Sequence, residues 1–151
     1  MKKIIGIALF SLLSLNVFAK DTLYNWVETQ TGTIEELKFK NDNPKENDAI
    51  KAMLKKNLNS HQTTSCSTEQ DYFKTTIESL DGCLISDQKE SKNSLSLKAV
   101  CEEEQQNINL KLDKKNSNLF VGHSIVTSDN EQFSLIAKTR IEVKKSGTCQ
   151  K

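Results

Sequence analysis

From Ser94 to Val143, apolar and polar residues alternate in run after run. Leu95, Leu97 and Ala99 alternate with Ser94, Ser96 and Lys98, and Ile108, Leu110 and Leu112 alternate with Asn109 and Lys111. Leu119 to Thr127 forms a third run, interrupted at Gly122. Phe133, Leu135, Ala137, Thr139, Ile141 and Val143 form the longest. A period of two sends successive side chains to opposite faces, so each run is a strand with one dry and one wet face. Short polar breaks at 89–93, 102–105, 114–118 and 128–130 join the runs into an antiparallel meander. The expected fold is mainly β: a curved sheet or partly closed barrel, with one amphipathic helix packed on it and two disulfides.

Upstream the signals are mixed. Leu23 to Thr29 is rich in aromatic and β-branched residues and stops at Gly32, and Thr33 to Phe39 follows. These read as two strands around a short turn. At Asn43-Pro44 the period changes. Asn43 can cap a helix, Pro44 suits its first position, and Glu46 can answer the cap. Ala49, Ile50, Met53, Leu54 and Leu58 then recur at three and four, opposite Lys51, Lys55 and Lys56, which predicts a helix from Pro44 to about Leu58. His61 to Cys66 suits a short strand. In Thr68 to Leu80, the residues Tyr72, Phe73, Ile77 and Leu80 fit a helical face, and Asp81-Gly82 ends it. Cys83 to Ser86 reads as a strand.

The N-terminus reads as a signal peptide, residues 1–19. Lys2 and Lys3 precede an apolar run from Ile4 to Leu15, and Ala19 suits cleavage, with Val17 in the third position back. The remainder, 20–151, suits a single exported domain that buries roughly two thirds of its unfolded surface. Losing Lys2 and Lys3 takes the formal charge of +1 just below zero. That leaves no bulk attraction to nucleic acid or anionic lipid, and only Arg140 among the 21 basic residues is an arginine. Nucleic acid is therefore excluded as a partner, and no stable membrane insertion is expected after cleavage.

Export makes the cysteines readable. Cys66, Cys83, Cys101 and Cys149 are an even set, which reads as two disulfides with three possible pairings. Strand direction chooses among them. If the strand from Cys83 runs up, the Ser94–Cys101 strand runs down and brings Cys101 level with Cys83. Continued, the meander leaves Cys149 at the other end, where the segment closing at Cys66 also arrives. The expected bridges are Cys83–Cys101 and Cys66–Cys149.

Several segments carry a resemblance: Trp26-Val27-Glu28-Thr29, Met53-Leu54-Lys55-Lys56, Cys66-Ser67-Thr68-Glu69-Gln70, Gly82-Cys83, Lys98-Ala99-Val100-Cys101, Phe120-Val121-Gly122 and Gly147-Thr148-Cys149. In this order they resemble a bacterial family of small exported four-cysteine proteins, domain of unknown function family 3617. The chain departs from that pattern at Tyr24, where the family has glycine, and at Val27, which separates Trp26 from Glu28. The resemblance implies a fold and a compartment. It brings no activity and no catalytic residue.

The residues themselves supply no catalytic constellation. His61 and His123 lack a cysteine, histidine or carboxylate at ligand spacing and read as exposed. His123 and Ser124 are neighbours on a strand and must face opposite ways. Glu102-Glu103-Glu104 and Glu35-Glu36 read as solvated, and Trp26 as a core anchor. No catalytic residue, cofactor or metal is expected. The expected function is non-enzymatic: binding of a small apolar ligand or envelope component, in a cavity between the Pro44–Leu58 helix and the sheet. The alternative is a protein-interaction module, such as an envelope inhibitor or immunity-type protein. A cavity of a few hundred Å³ with an apolar lining separates the first from the second.

Overall fold

The computed structural model describes residues 21–150. The signal peptide assigned to 1–19 lies outside the described residues. In chain order the elements are β1 (Tyr24–Phe39), α1 (Pro44–Leu58), β2 (His61–Ser67), α2 (Tyr72–Glu78), β3 (Leu84–Glu90), β4 (Ser94–Cys101), β5 (Gln106–Asn116), β6 (Leu119–Asp129) and β7 (Phe133–Thr148).

All seven strands form one antiparallel sheet in the order β2-β1-β7-β6-β5-β4-β3. The meander runs unbroken from β3 to β7. The chain's first strand then fits between its last strand and β2. The sheet is open: β2 and β3 are its edges, so it does not close into a barrel. The inward set Phe133, Leu135, Ala137, Thr139, Ile141 and Val143 is buried, so one face carries the core. The wet face carries Lys138, Arg140 and Lys144, all exposed.

Two expectations at glycines are corrected. Gly32 is not a turn: β1 is a single strand that runs through it, paired to β7 on both sides. A Cβ there would lie 2.6 Å from Leu58 Cδ2, so the missing side chain admits the end of α1. Gly122 does not interrupt β6, which pairs through it to Leu112 and Ile141. A period-two pattern registers a strand, and it cannot tell a glycine that turns the chain from one that admits a neighbour.

Both helices lie on the dry face, at opposite ends. α1 has the expected bounds. The Asn43 side chain accepts from the Glu46 backbone N–H, and its amide donates to the Glu46 carboxylate. Ile50 and Leu54 pack on Phe133, Leu135 and Ala137, with Leu58 at the margin. Met53 and Ala49 do not join them: Met53 is 50% exposed, so the packed stripe is narrower than the sequence spacing implies. The second helix, α2, is a correction to the single helix expected. It is held by rings: Tyr72 stacks on Phe120 at 4.8 Å, Phe73 meets the same ring edge-on, and Trp26 lies 5.3 Å from Tyr72. Trp26 is fully buried, and its indole N–H donates to the Ser67 carbonyl at 3.3 Å.

The two disulfides are Cys66–Cys149 and Cys83–Cys101. Cys83 immediately precedes β3 and faces Cys101 at the end of β4, as the hairpin around Ser91 requires. Cys66–Cys149 joins β2 to the end of β7, with β1 between them.

Candidate functional site

Between the helices, part of the dry face stays uncovered. Here the inward positions change from apolar to polar. Thr139 breaks the apolar series on β7. It pairs with Ser124 on one side and Gly32 on the other, and β1 presents Gln30 opposite Ile141 and Glu28 opposite Val143. A cleft of 220 Å³ opens over this stretch. Ile108, Leu110 and Leu112 of β5, with Val126 and Ile141, make its apolar floor. Thr76, Ser79 and Leu80 of α2 and its C-terminal turn make one wall. A recess of 50 Å³ at the end of α1 shares Gln30 and Thr139 with the cleft. The cavity therefore lies beside α2, not under α1 as expected. Ile50 and Leu54 fill the space beneath α1.

Glu28 is the one formal charge in the cleft lining. Its Oε2 accepts from the Tyr72 hydroxyl at 2.8 Å, and its other oxygen accepts from the Gln30 side-chain amide. Burial pushes the Tyr72 hydroxyl far above the usual tyrosine range, and the charge and hydrogen bond of Glu28 push it the same way. Tyr72 therefore stays protonated and donates. Ser124 and Thr139, 8% and 7% exposed, line the same cleft.

A second polar assembly secures the lead-in to α2. Glu69 accepts from Lys114 of β5 and, at 3.4 Å, from Lys145 of β7. The Lys145 ammonium lies 3.8 Å from the centre of the Tyr24 ring. The hydrogen bond from Lys114 is the main reason the Glu69 carboxyl sits below the usual carboxylate range; burial opposes it and the charges of both lysines assist. A hollow of 720 Å³ adjoins this ion group, lined by Gln70, Glu90, Ser91 and Lys92 as well as Phe73 and Phe120. Polar groups dominate that hollow.

His61 and His123 are both exposed: His61 opens β2, and His123 stands on the wet face opposite Lys111 and Arg140. Ser124 faces the cleft on the other side of the sheet from His123. Glu102, Glu103 and Glu104 are exposed in the β4–β5 turn. Among the described residues no three His, Cys, Asp or Glu side chains converge to hold a metal ion. None of the described helices is long and apolar enough to cross a membrane. Sequence reading missed Glu28, Gln30, Ser124 and Thr139 as a group. The signal was present only as Thr139, the one polar residue among the inward positions from Phe133 to Val143.

An open seven-stranded antiparallel sheet, two helices on one face and two disulfides define the class of fold, and a mixed apolar and acidic cleft defines the site. No family model, curated protein or solved structure matches the chain.

Proposed function

We propose that the protein is an exported, non-enzymatic binding protein for a small apolar ligand or envelope component, working in the periplasm or outside the cell. The observation that carries this reading is the 220 Å³ cleft, whose floor is apolar and whose polar groups converge from β1, β6, β7 and the α2 wall. Apolar cavities of about 150 Å³ hold a benzene ring, so a one-ring ligand matches the cleft in scale. The export reading rests on Lys2, Lys3 and the apolar run to Leu15, with support from two disulfides, which persist in oxidising compartments. The resemblance to the exported four-cysteine family points the same way.

Benzyl alcohol, a neutral one-ring probe, tests the reading. Titrated into the labelled protein, it is expected to shift backbone amide resonances of residues 124–126, 139–141 and 76–80 saturably. No saturable shift there overturns the cleft as a ligand site.

One observation favours the interaction module. Edge strand β2 pairs with β1 residue for residue, with no bulge, proline or charged side chain. Sheet edges are usually guarded against further pairing, and β3 is guarded by a bulge, by Asp87 in the left-handed region and by the Asp87–Lys98 ion pair. A partner adding a strand at β2 would slow amide exchange across 61–67 and leave the cleft resonances unmoved.

A further inference from the structure

We propose that the ligand carries an ammonium head that seats on Glu28, with an apolar body of about one ring lying over Leu110 and Ile141. This rests on the cleft being the ligand site. It adds the charge and polarity of what fits there.

The first support is the unbalanced charge. Glu36, Glu69, Asp87, Asp129 and Glu142 each have a lysine partner. Glu28 makes no ion pair among the described residues. Its partners are neutral donors, Tyr72 and Gln30, and no lysine or arginine lines the cleft. A carboxylate offers roughly four acceptor positions, so two donors leave room for a third and fourth. Tyr72 and Gln30 hold the group in place without neutralising it. An incoming cation would find a preset anion in partly dehydrated surroundings, where the attraction is stronger than in water.

The second support is the polarity of the lining. Ser124 and Thr139 line the same cleft as Glu28 and present hydroxyls there. Carboxylate and hydroxyl oxygens accept hydrogen bonds, and an ammonium has three donors and no acceptor. An anionic ligand would meet Glu28 with no cation to offset the repulsion. A neutral one would leave the carboxylate without a counter-charge.

The probes are benzylamine, benzyl alcohol and benzoate, which share a ring and differ in head charge. They are titrated at pH 7 into the wild-type protein and into Glu28→Gln, followed by amide resonances at residues 124–126 and 139–141. Benzylamine is expected to bind about tenfold more tightly than benzyl alcohol, as one charge-assisted hydrogen bond provides, with benzoate weakest. In Glu28→Gln the preference for benzylamine over benzyl alcohol should vanish; the glutamine oxygen can still accept from Tyr72. Benzyl alcohol or benzoate equalling benzylamine in the wild type overturns the ammonium assignment and leaves the apolar site standing. An amine preference that survives Glu28→Gln also overturns it. Binding by none of the three removes the site itself. The ranking in wild type decides the matter even if Glu28→Gln fails to fold.

Discussion

Gly122 occupies a point on the dry face where a β-carbon has no room. An added Cβ would lie 2.1 Å from the Lys111 carbonyl oxygen and 2.9 Å from the Leu112 α-carbon, both backbone of the paired strand. Neither atom can give way without opening the β5–β6 ladder. Gly122→Ala is therefore expected to destabilise by about 3 kcal/mol, read from the urea midpoint. Gly32→Ala meets chiefly the Leu58 side chain, which can rotate, and should cost about 1 kcal/mol by the same measurement. Equal costs would mean that the two close approaches do not differ as described. Neither contact is legible in sequence, because the neighbour that requires a glycine lies elsewhere in the chain. The Cβ-free position is visible and its reason is not. Glu28 illustrates the same limit. Its place one strand residue from another polar side chain looks solvent-facing until β7 supplies Val143 as its partner and α2 brings Tyr72 over it.

At the scale of elements, α1 was legible to the residue and α2 only as a helical face. The difference is physical. α1 carries its own instructions in the Asn43 cap, Pro44 and a run of helix formers. α2 has seven residues, too few for helical propensity to matter, and exists because Trp26 and Phe120 offer a surface for Tyr72 and Phe73. Leu54→Ala should accordingly cost about 2 to 5 kcal/mol, and Met53→Ala under about 0.5 kcal/mol, because only the first removes buried volume. Comparable losses would put the packed face of α1 elsewhere. The lead-in to α2 gives a pH signature. The Glu69 carboxyl titrates below the usual range in the folded protein, chiefly through the hydrogen bond from Lys114. Its contribution is complete above the ordinary carboxylate range and is lost as pH falls through that range and below. Unfolding free energies from neutral pH to about pH 3 should therefore decline less steeply in Glu69→Gln than in the wild type. The difference should be about 1 kcal/mol, since water still reaches the group. Parallel declines would show that the ion group does not hold α2.

Across the whole molecule, the meander of β3 to β7 and both disulfides followed from alternation and strand direction alone, because each hairpin is local. The position of β1 did not. Nothing in Tyr24–Phe39 marks it as the neighbour of Phe133–Thr148 as well as of β2, the strand that follows it, and the pairing with β7 becomes plain only in the register of Thr31 with Arg140. The two bridges differ in the chain they enclose, 83 residues for Cys66–Cys149 and 18 for Cys83–Cys101. Replacing the first pair by serine is expected to cost about 4 kcal/mol and the second about 3 kcal/mol in the chain-entropy account, compared by thermal unfolding. A larger loss from the short loop would place the stabilisation in native contacts instead. The seat of β1 between the last strand and β2 also governs the order of events as the chain is made. β1 can pair early with β2, but that pair has no sheet to join until β7, near the C-terminus, arrives, so a chain emerging from its N-terminus is held back from completing its fold until nearly all of it has emerged. Long-range pairing of this kind is slow to form. Oxidation of the reduced protein should then be sequential: Cys83–Cys101 closes first within its hairpin, and Cys66–Cys149 seals the sheet only after β7 has docked beside β1.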